Sequence, residues 1–179
     1  MERIYLILSI LVLFLLSSSQ IDESNTFEYK NNSHLAIFPD SLVKRFDYKV
    51  FKILGNECDL TNHTCINFTQ IPVIINKQKD LEELYFIMND LEEIPSWLNS
   101  LTKLKVLDIS GNKNIKSLDN LSGLVSLETL NMNDCLLTTL PESIYSFKKI
   151  KILGLEGNLF SVELKNRLKK ELPNTKIYW

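Results

Sequence analysis

The chain has 179 residues, of which 45% are hydrophobic and 23% charged, a composition typical of one ordinary globular domain. Its 20 basic and 22 acidic side chains leave a formal net charge of −2, so it lacks the positive field that nucleic-acid backbones require. Five Gly, two His and three Cys leave little material for a phosphate loop, a multi-histidine metal site or a disulfide-dense scaffold.

Residues 1–19 have the three-part shape of a secretory signal peptide. Two residues of opposite charge precede the apolar run 4–16, in which only Ser9 is polar, and small residues stand at the −3 and −1 positions of a cleavage after Ser19. A helix over this run spans about 20 Å, which is short of the ~30 Å hydrocarbon core. We therefore expect removal of this segment, a secreted or extracytoplasmic protein (periplasm or cell surface), and no stable membrane insertion afterwards. Retention as an anchor is the alternative, because the basic charge before the run is cancelled.

Residues 20–57 are expected to form a flexible leader and an N-terminal cap helix. The stretch 20–35 is rich in Asn, Ser, Asp and Glu, which is typical of chain that buries little apolar surface. Beyond it, Gly55 stands where a helix would end. The apolar residues at helical spacing are Leu42, Phe46, Val50 and Ile53. Such a helix would cover the open end of a core, or alternatively dock a partner.

Residues 58–80 are interpreted as a degenerate first repeat that starts near Cys58. Its second half, 68–72, has the same order of apolar and polar residues and the same Pro as 91–95, which lies 23 residues later. Its first half carries polar Thr61 and His63 where apolar residues would be expected. We therefore expect it to act as a cap.

Cys58 and Cys65 are predicted to form a disulfide. In an exported chain two nearby cysteines most simply pair, and closing this loop stabilises the fold by about 2.5 kcal/mol in the chain-entropy treatment. A zinc site that adds His63 is the alternative, but it lacks an obvious fourth ligand.

Residues 81–160 contain four units that start 23 residues apart. We refer to them as the first to fourth units and number the places within each from its first residue. Apolar residues recur at places one, four and six: Leu81, Leu84, Phe86; Leu104, Leu107, Ile109; Leu127, Leu130, Met132; Ile150, Leu153, Leu155. Place nine holds Asn89, Asn112, Cys135 and Asn158.

The spacing itself predicts structure. Apolar residues at places four and six, with more polar ones between, are typical of a strand that buries one face. Strands that return every 23 residues favour parallel stacking with crossovers. The side chain at place nine then lies in the bend after each strand, where Asn can pair with unmatched backbone groups. Cys135 in this ladder is interpreted as a small buried residue.

These residues resemble the leucine-rich repeat family, whose pattern is L-x-x-L-x-L-x-x-(N/C)-x-L, over about half of the chain. The resemblance implies an α/β solenoid with a parallel sheet on its concave side and helices or turns on its convex side, capped at both ends.

The second halves of the units predict the convex layer. Pro95 and Pro141 are each expected to start a short helical turn, where a missing N–H costs little. The second unit carries an extra residue after place nine, with Asn114 as the candidate, and is one residue shorter later on. Its bend should therefore differ from the others.

Residues 161–179 are predicted to cap the C-terminal end. Ser161 can cap a helix whose leucines, at 164, 168 and 172, are four residues apart. Residues 177–179 supply a final strand-like apolar piece.

The concave face, by this reading, carries places three, five, seven and eight of each unit. In the four units it is rich in acidic and amide groups and has no Lys or Arg, with an apolar end in the first unit. It suits a protein or peptide partner, in particular one with basic groups, or a glycan. Calcium bound by its Asp and Asn side chains is a weaker alternative. The predicted partner-binding residues are Glu83, Tyr85, Ile87, Met88, Val106, Asp108, Ser110, Asn131, Asn133, Asp134, Ile152 and Glu156.

No catalytic motif stands out. The sequence contains no G-x-S-x-G, P-loop or H-E-x-x-H pattern, and both His lie outside the repeats. We expect a non-catalytic binding module without a cofactor or metal. A structural or self-associating surface protein is the alternative.

Overall fold

The computed structural model describes part of the N-terminal third of the chain and all of the remainder. The described residues are 19–21, 26–30, 49–54, 58–59, 64–65 and 68–179. The predicted signal segment up to residue 18, the start of the predicted cap helix and His63 lie outside them. Within these ranges, no helix has the length and apolar character that a membrane span requires.

An open eight-stranded sheet carries the fold within the described residues. Its strands are β1 (Ser19–Ile21), β2 (Thr26–Lys30), β3 (Val50–Leu54), β6 (Glu83–Ile87), β7 (Val106–Asp108), β8 (Thr129–Asn131), β9 (Ile152–Gly154) and β10 (Lys176–Tyr178). They lie in chain order across the sheet, β1 antiparallel to β2 and every later neighbouring pair parallel. A separate antiparallel hairpin pairs β4 (Cys58–Asp59) with β5 (Thr64–Cys65).

The strands of the four units stack in the register that the 23-residue period predicts. Leu84 pairs with Leu107, Leu107 with Leu130 and Leu130 with Leu153, and all four are fully buried. Because neighbouring side chains point to opposite faces of a strand, places four and six enter the core while places three and five stay accessible. The core therefore lies between the sheet and the second halves of the units.

Short 3₁₀ helices form the second layer: η1 (Val73–Lys77), η2 (Ser96–Ser100), η3 (Asp119–Leu121) and η4 (Glu142–Ser146). Pro72, Pro95 and Pro141 directly precede η1, η2 and η4, with φ between −58° and −68°, as the proline pattern predicts. η3 is shorter and follows Leu118 instead, so the second unit has the distinct bend expected of it.

The C-terminal end is closed by a helix and a strand. α1 (Val162–Glu171) begins after Ser161, whose Oγ accepts a hydrogen bond from the N–H of Leu164 at 3.2 Å. Strand β10 then adds to the sheet beside β9. The predicted N-cap and strand-like terminus are therefore both present.

The N-terminal end is built from strands, which corrects two sequence expectations. Residues 50–54, assigned to a helix, form β3, and the expected flexible leader contains β1 and β2. In β3, Phe51 pairs with Leu84 and the fully buried Ile53 with Phe86. Alternate residues of β3 thus take places four and six, and backbone pairing with β6 outweighs a spacing that also fits a helix.

The first strand slot also lies elsewhere than expected. Its occupant β3 starts 33 residues before β6 rather than 23, and the hairpin of β4 and β5 lies in the longer connection. The expectation that the degenerate repeat starts near Cys58 is therefore wrong for its strand. Its second half fits: Ile71 is buried, and the carbonyls of Phe68 and Thr69 accept hydrogen bonds from Asp90 and Glu92 of the first unit.

Buried amides at place nine close the bends. Asn112 Nδ2 donates to the carbonyls of Phe86 and Ile109 at 2.7 and 2.8 Å, and its Oδ1 accepts from the N–H of Leu91 at 3.0 Å. Asn89 and Asn158 make the corresponding three kinds of contact. Each amide therefore ties its own bend to the unit before it.

Cys135 fills only part of this role. Its Sγ lies 3.3 Å from the carbonyl oxygen of Ile109 and 3.4 Å from that of Asn133. It has no amide oxygen to accept the N–H of Asn114, the counterpart of Leu91, and the inserted residue lies in that same bend. Burial raises the pKa of the Cys135 thiol to about 11, so the thiol is protonated and inert near neutral pH.

Place two carries a row of alternating charges along the solenoid. Lys49 Nζ lies 3.2 Å and Lys105 Nζ 2.5 Å from the carboxylate of Glu82, and Lys151 Nζ lies 2.7 Å from that of Glu128. The hydrogen bond from Lys105 lowers the pKa of Glu82, and the one from Lys151 lowers that of Glu128. Exposed pairs of this kind are screened by salt.

The backbone supports the predicted disulfide, which remains a prediction. Cys58 and Cys65 are directly opposite in the hairpin, where Cα atoms lie about 4.5–5.5 Å apart, a separation that a disulfide spans. We expect alkylation in denaturant without reductant to modify Cys135 alone, as read by peptide mass spectrometry. Alkylation of all three cysteines would contradict the disulfide.

Replacement of a place-nine amide should be costly. Asn112→Ala leaves two buried carbonyls and one N–H unsatisfied, so we expect a loss of about 2–4 kcal/mol in the free energy of unfolding, measured by urea denaturation. Asn114→Ala, at an exposed position, is the control and should change it by less than about 0.5 kcal/mol. Equal losses in both variants would contradict a special role for place nine.

Candidate functional site

Strands β6–β9 present the predicted partner-binding residues on the face opposite the core. Every one of these twelve residues is accessible to solvent to some degree. Met88, Asp134 and Glu156 are exposed, and the other nine are half-buried. The parallel register aligns equal places into columns, so that Tyr85, Asp108 and Asn131 are neighbours. No described residue covers this face as a second layer.

The centre of the concave face is fixed by hydrogen bonds between units. Asp108 accepts from Asn131 Nδ2 and from the N–H of Ser110, both at 3.0 Å. Ser110 Oγ in turn accepts from the N–H of Asn133 at 3.2 Å, and Asn133 Oδ1 from the N–H of Glu156 at 2.9 Å. These side chains are therefore ordered in the free protein.

The first unit forms an apolar end around Tyr85. The Tyr85 hydroxyl donates to Glu83 Oε2 at 2.8 Å, and Lys52 Nζ lies 5.1 Å from the centre of the ring. Burial, followed by the hydrogen bond to Glu83, raises the pKa of Tyr85 to about 12. Ile87 is half-buried beside it, and Met88 is 51% exposed.

Place eight adopts left-handed backbone in all four units, a feature missed from the sequence. The φ angles are 55° at Met88, 75° at Gly111, 54° at Asp134 and 68° at Gly157. A Cβ on Gly111 would lie 3.0 Å from Met88 Cγ, and one on Gly157 only 2.0 Å from Asp134 Oδ1. The glycines thus make room for the side chain of the preceding unit. Their alternation with larger residues at place eight was the available signal.

The full sheet adds positive charge that the four units lack. Strand β3 places Lys52 beside Tyr85, and β10 places Lys176 beside Ile152 with Tyr178 two residues later. The expected absence of Lys and Arg therefore holds for the four units and fails for the sheet as a whole. It fails because the sequence reading took residues 50–54 as helical.

The carboxylates of the concave face lack ion-pair partners among the described residues. Glu83, Asp108, Asp134 and Glu156 form no salt bridge there, whereas the carboxylates of place two do. Within the same residues, no three His, Cys, Asp or Glu side chains come together as a metal site. Both oxygens of Asp108 accept hydrogen bonds from nitrogen, which is the environment of an anion held by donors.

A cleft of about 350 Å³ lies between the bends of the second and third units. Residues 115–119 and 136–141 line it. No hydrogen bond joins these two segments, although both are fully described, whereas neighbouring bends are linked by bonds such as Lys116 N–H to the Glu92 carbonyl and Leu159 N–H to the Leu137 carbonyl. The cleft was not predicted and follows from the inserted residue in the second unit.

Comparisons with known proteins identify similar chains. A family model described as leucine-rich repeats (two copies) matches residues 79–123. Leucine-rich repeat-containing protein 58 of Xenopus tropicalis is 32% identical over 107 residues, which is 59% of this chain and 30% of that protein. Disease resistance protein RML1A of Arabidopsis thaliana is 35% identical over 81 residues, 45% of this chain and 8% of that protein. The chain therefore spans less than a third of either relative.

Solved structures agree with the sheet topology. A leucine-rich repeat protein of Leptospira interrogans has a TM-score of 0.65 at 28% identity, covering 84% of this chain and 36% of that one. The leucine-rich repeat ectodomain of the receptor kinase SOBIR1 from Arabidopsis thaliana has a TM-score of 0.53 at 26% identity, covering 75% of this chain and 70% of that one.

The raised pKa of Tyr85 predicts a pH effect on stability. The neutral phenol is favoured in the fold, so its contribution is complete below about pH 10 and is lost as the pH rises toward about 12. We expect the urea-unfolding free energy of the wild type to fall more steeply between pH 9 and pH 11 than that of Tyr85→Phe. Parallel pH profiles would contradict this assignment.

Proposed function

Because this chain is a leucine-rich repeat protein, we propose that it binds a protein or peptide partner through its concave face. The leucine-rich repeat fold is in general a protein-interaction module, and proteins of the family are typically non-catalytic. Solenoids of stacked repeats present an extended surface that suits macromolecules.

The ordered polar centre of the concave face carries the proposal. The hydrogen bonds that hold Asp108, Asn131 and Asn133 in place are made without a partner, so binding costs little side-chain entropy at these positions. Tyr85 adds an aromatic group beside them, and aromatic side chains are enriched in protein interfaces. A glycan, which Asp, Asn and Tyr side chains also suit, is the second ligand class to test.

We further propose that the protein acts outside the cytoplasm. The apolar segment 4–16 has the form of an export signal, and the opposed Cys58 and Cys65 suit an oxidising compartment. Self-association as a surface protein is the rival function. Light scattering distinguishes the two, since a monomeric mature chain counts against assembly.

The concave-face proposal is tested by a triple variant. Tyr85→Ala, Asp108→Ala and Asn131→Ala together should abolish capture of a partner from an extract of the source organism, because they remove the centre of the face. The thermal midpoint should stay within a few degrees, since all three residues are outside the core. Cross-linking followed by mass spectrometry measures the capture.

The matched control is Glu93→Ala, Lys148→Ala and Asn174→Ala, three exposed residues outside the concave face. It should capture the partner as the wild type does. Capture that survives the concave triple variant, or that is lost in both variants, would exclude the proposed face. Capture of a glycan alone would replace the protein ligand class.

A further inference from the structure

We infer that the concave face recognises an extended peptide with an apolar side chain and a basic side chain three or four residues apart. This inference rests on the proposed function and names its partner's chemistry. The apolar side chain packs on the first unit, and the basic side chain lies over the carboxylates of the third and fourth units.

The acidic half of the surface asks for a cation. Asp134 and Glu156 are both exposed and lie on neighbouring units, joined by a hydrogen bond of 2.8 Å from the Asp134 N–H to the Glu156 carbonyl. Neither carboxylate has an ion pair among the described residues. Two like charges at this separation repel each other, and a basic side chain between them relieves the repulsion.

The other half of the surface asks for an apolar group. Met88 is 51% exposed and lies over Gly111, where no side chain competes for the space. Tyr85 and Ile87 are half-buried beside it. An apolar side chain packed here removes area from water on both partners.

Charge along the face limits the partner to a localised cation. Lys52 at one end and Lys176 at the other bracket the carboxylates, so a continuous polybasic chain would meet like charge at both ends. An acidic peptide would meet the four unpaired carboxylates in the middle. One basic residue with a neutral flank fits both conditions.

The strand spacing sets the distance between the two groups. Neighbouring strands lie about 4.8 Å apart, so the first unit is about 10 Å from the third and about 14 Å from the fourth. An extended peptide rises about 3.3 Å per residue. A chain laid across the strands therefore places its basic residue three or four positions from its apolar one.

The test uses a fluorescein-labelled synthetic peptide, Gly-Gly-Leu-Ser-Ser-Arg-Gly-Gly, and fluorescence anisotropy at low salt. Replacing its Arg by citrulline keeps the shape and removes the charge, and we expect at least about tenfold weaker binding, or ~1.4 kcal/mol. Replacing its Leu by Ala should also weaken binding. Absence of binding by the parent peptide, or equal binding by the citrulline peptide, would overturn the inference.

Protein variants locate the contact. Asp134→Asn with Glu156→Gln should weaken the parent peptide at least about tenfold and leave the citrulline peptide unchanged. Glu93→Gln with Glu171→Gln removes the same charge from exposed positions outside the face and should change binding less than about twofold. Equal weakening by both pairs would show a general charge effect and would overturn the inference.

The native partner separates this inference from the proposed function. If partner capture persists in Asp134→Asn with Glu156→Gln but is lost in the triple variant of Tyr85, Asp108 and Asn131, the basic-residue inference is wrong and the proposed function stands. If capture also survives the triple variant, both fail.

Discussion

The whole architecture depends on how the chain turns after each strand without leaving buried main-chain groups unpaired. A bend inside a stacked solenoid is shielded from water by its neighbours, and an unmet buried carbonyl or N–H costs ~1–3 kcal/mol. Asn112 meets two carbonyls and one N–H at once, and one of those carbonyls and the N–H belong to the preceding unit. The same contact therefore closes the bend and sets the distance to the next strand. Since every column of the concave face depends on that register, the surface inherits its order from a buried amide.

Some of this was legible in the sequence because a single physical requirement recurs at a fixed spacing. The apolar places, the place-nine ladder and the proline-led 3₁₀ helices each repeat, so each is observed several times. Strand β3 breaks the period by ten residues, and its apolar positions fit both a helix and a strand; only pairing with β6 decides between them. The flanking Lys52 was missed for that reason. The left-handed backbone at place eight was missed because Met88 and Asp134 are unusual there, and the glycines that permit it lie one unit away.

The solenoid treats its charges differently on its two sides. At place two, basic and acidic side chains of successive units neutralise each other within the chain. On the concave face the carboxylates are held by hydrogen bonds, as at Asp108, or are left exposed, as at Asp134. Charge that is settled internally contributes to stacking, whereas charge left open is available to a second molecule. The contrast explains why the concave face, rather than the charged edge, is the better candidate for recognition.

The alternation of sign at place two also bears on how such a chain can change its length. Lys49, Glu82, Lys105, Glu128 and Lys151 follow one another without two like charges in contact. Deleting or duplicating a single repeat by recombination would bring Lys against Lys or Glu against Glu, whereas a change of two repeats restores the sequence of signs. A slip of the stack by one unit during folding meets the same repulsion. The row of charges thus acts as a parity check on assembly, one that admits repeats in pairs and opposes them singly.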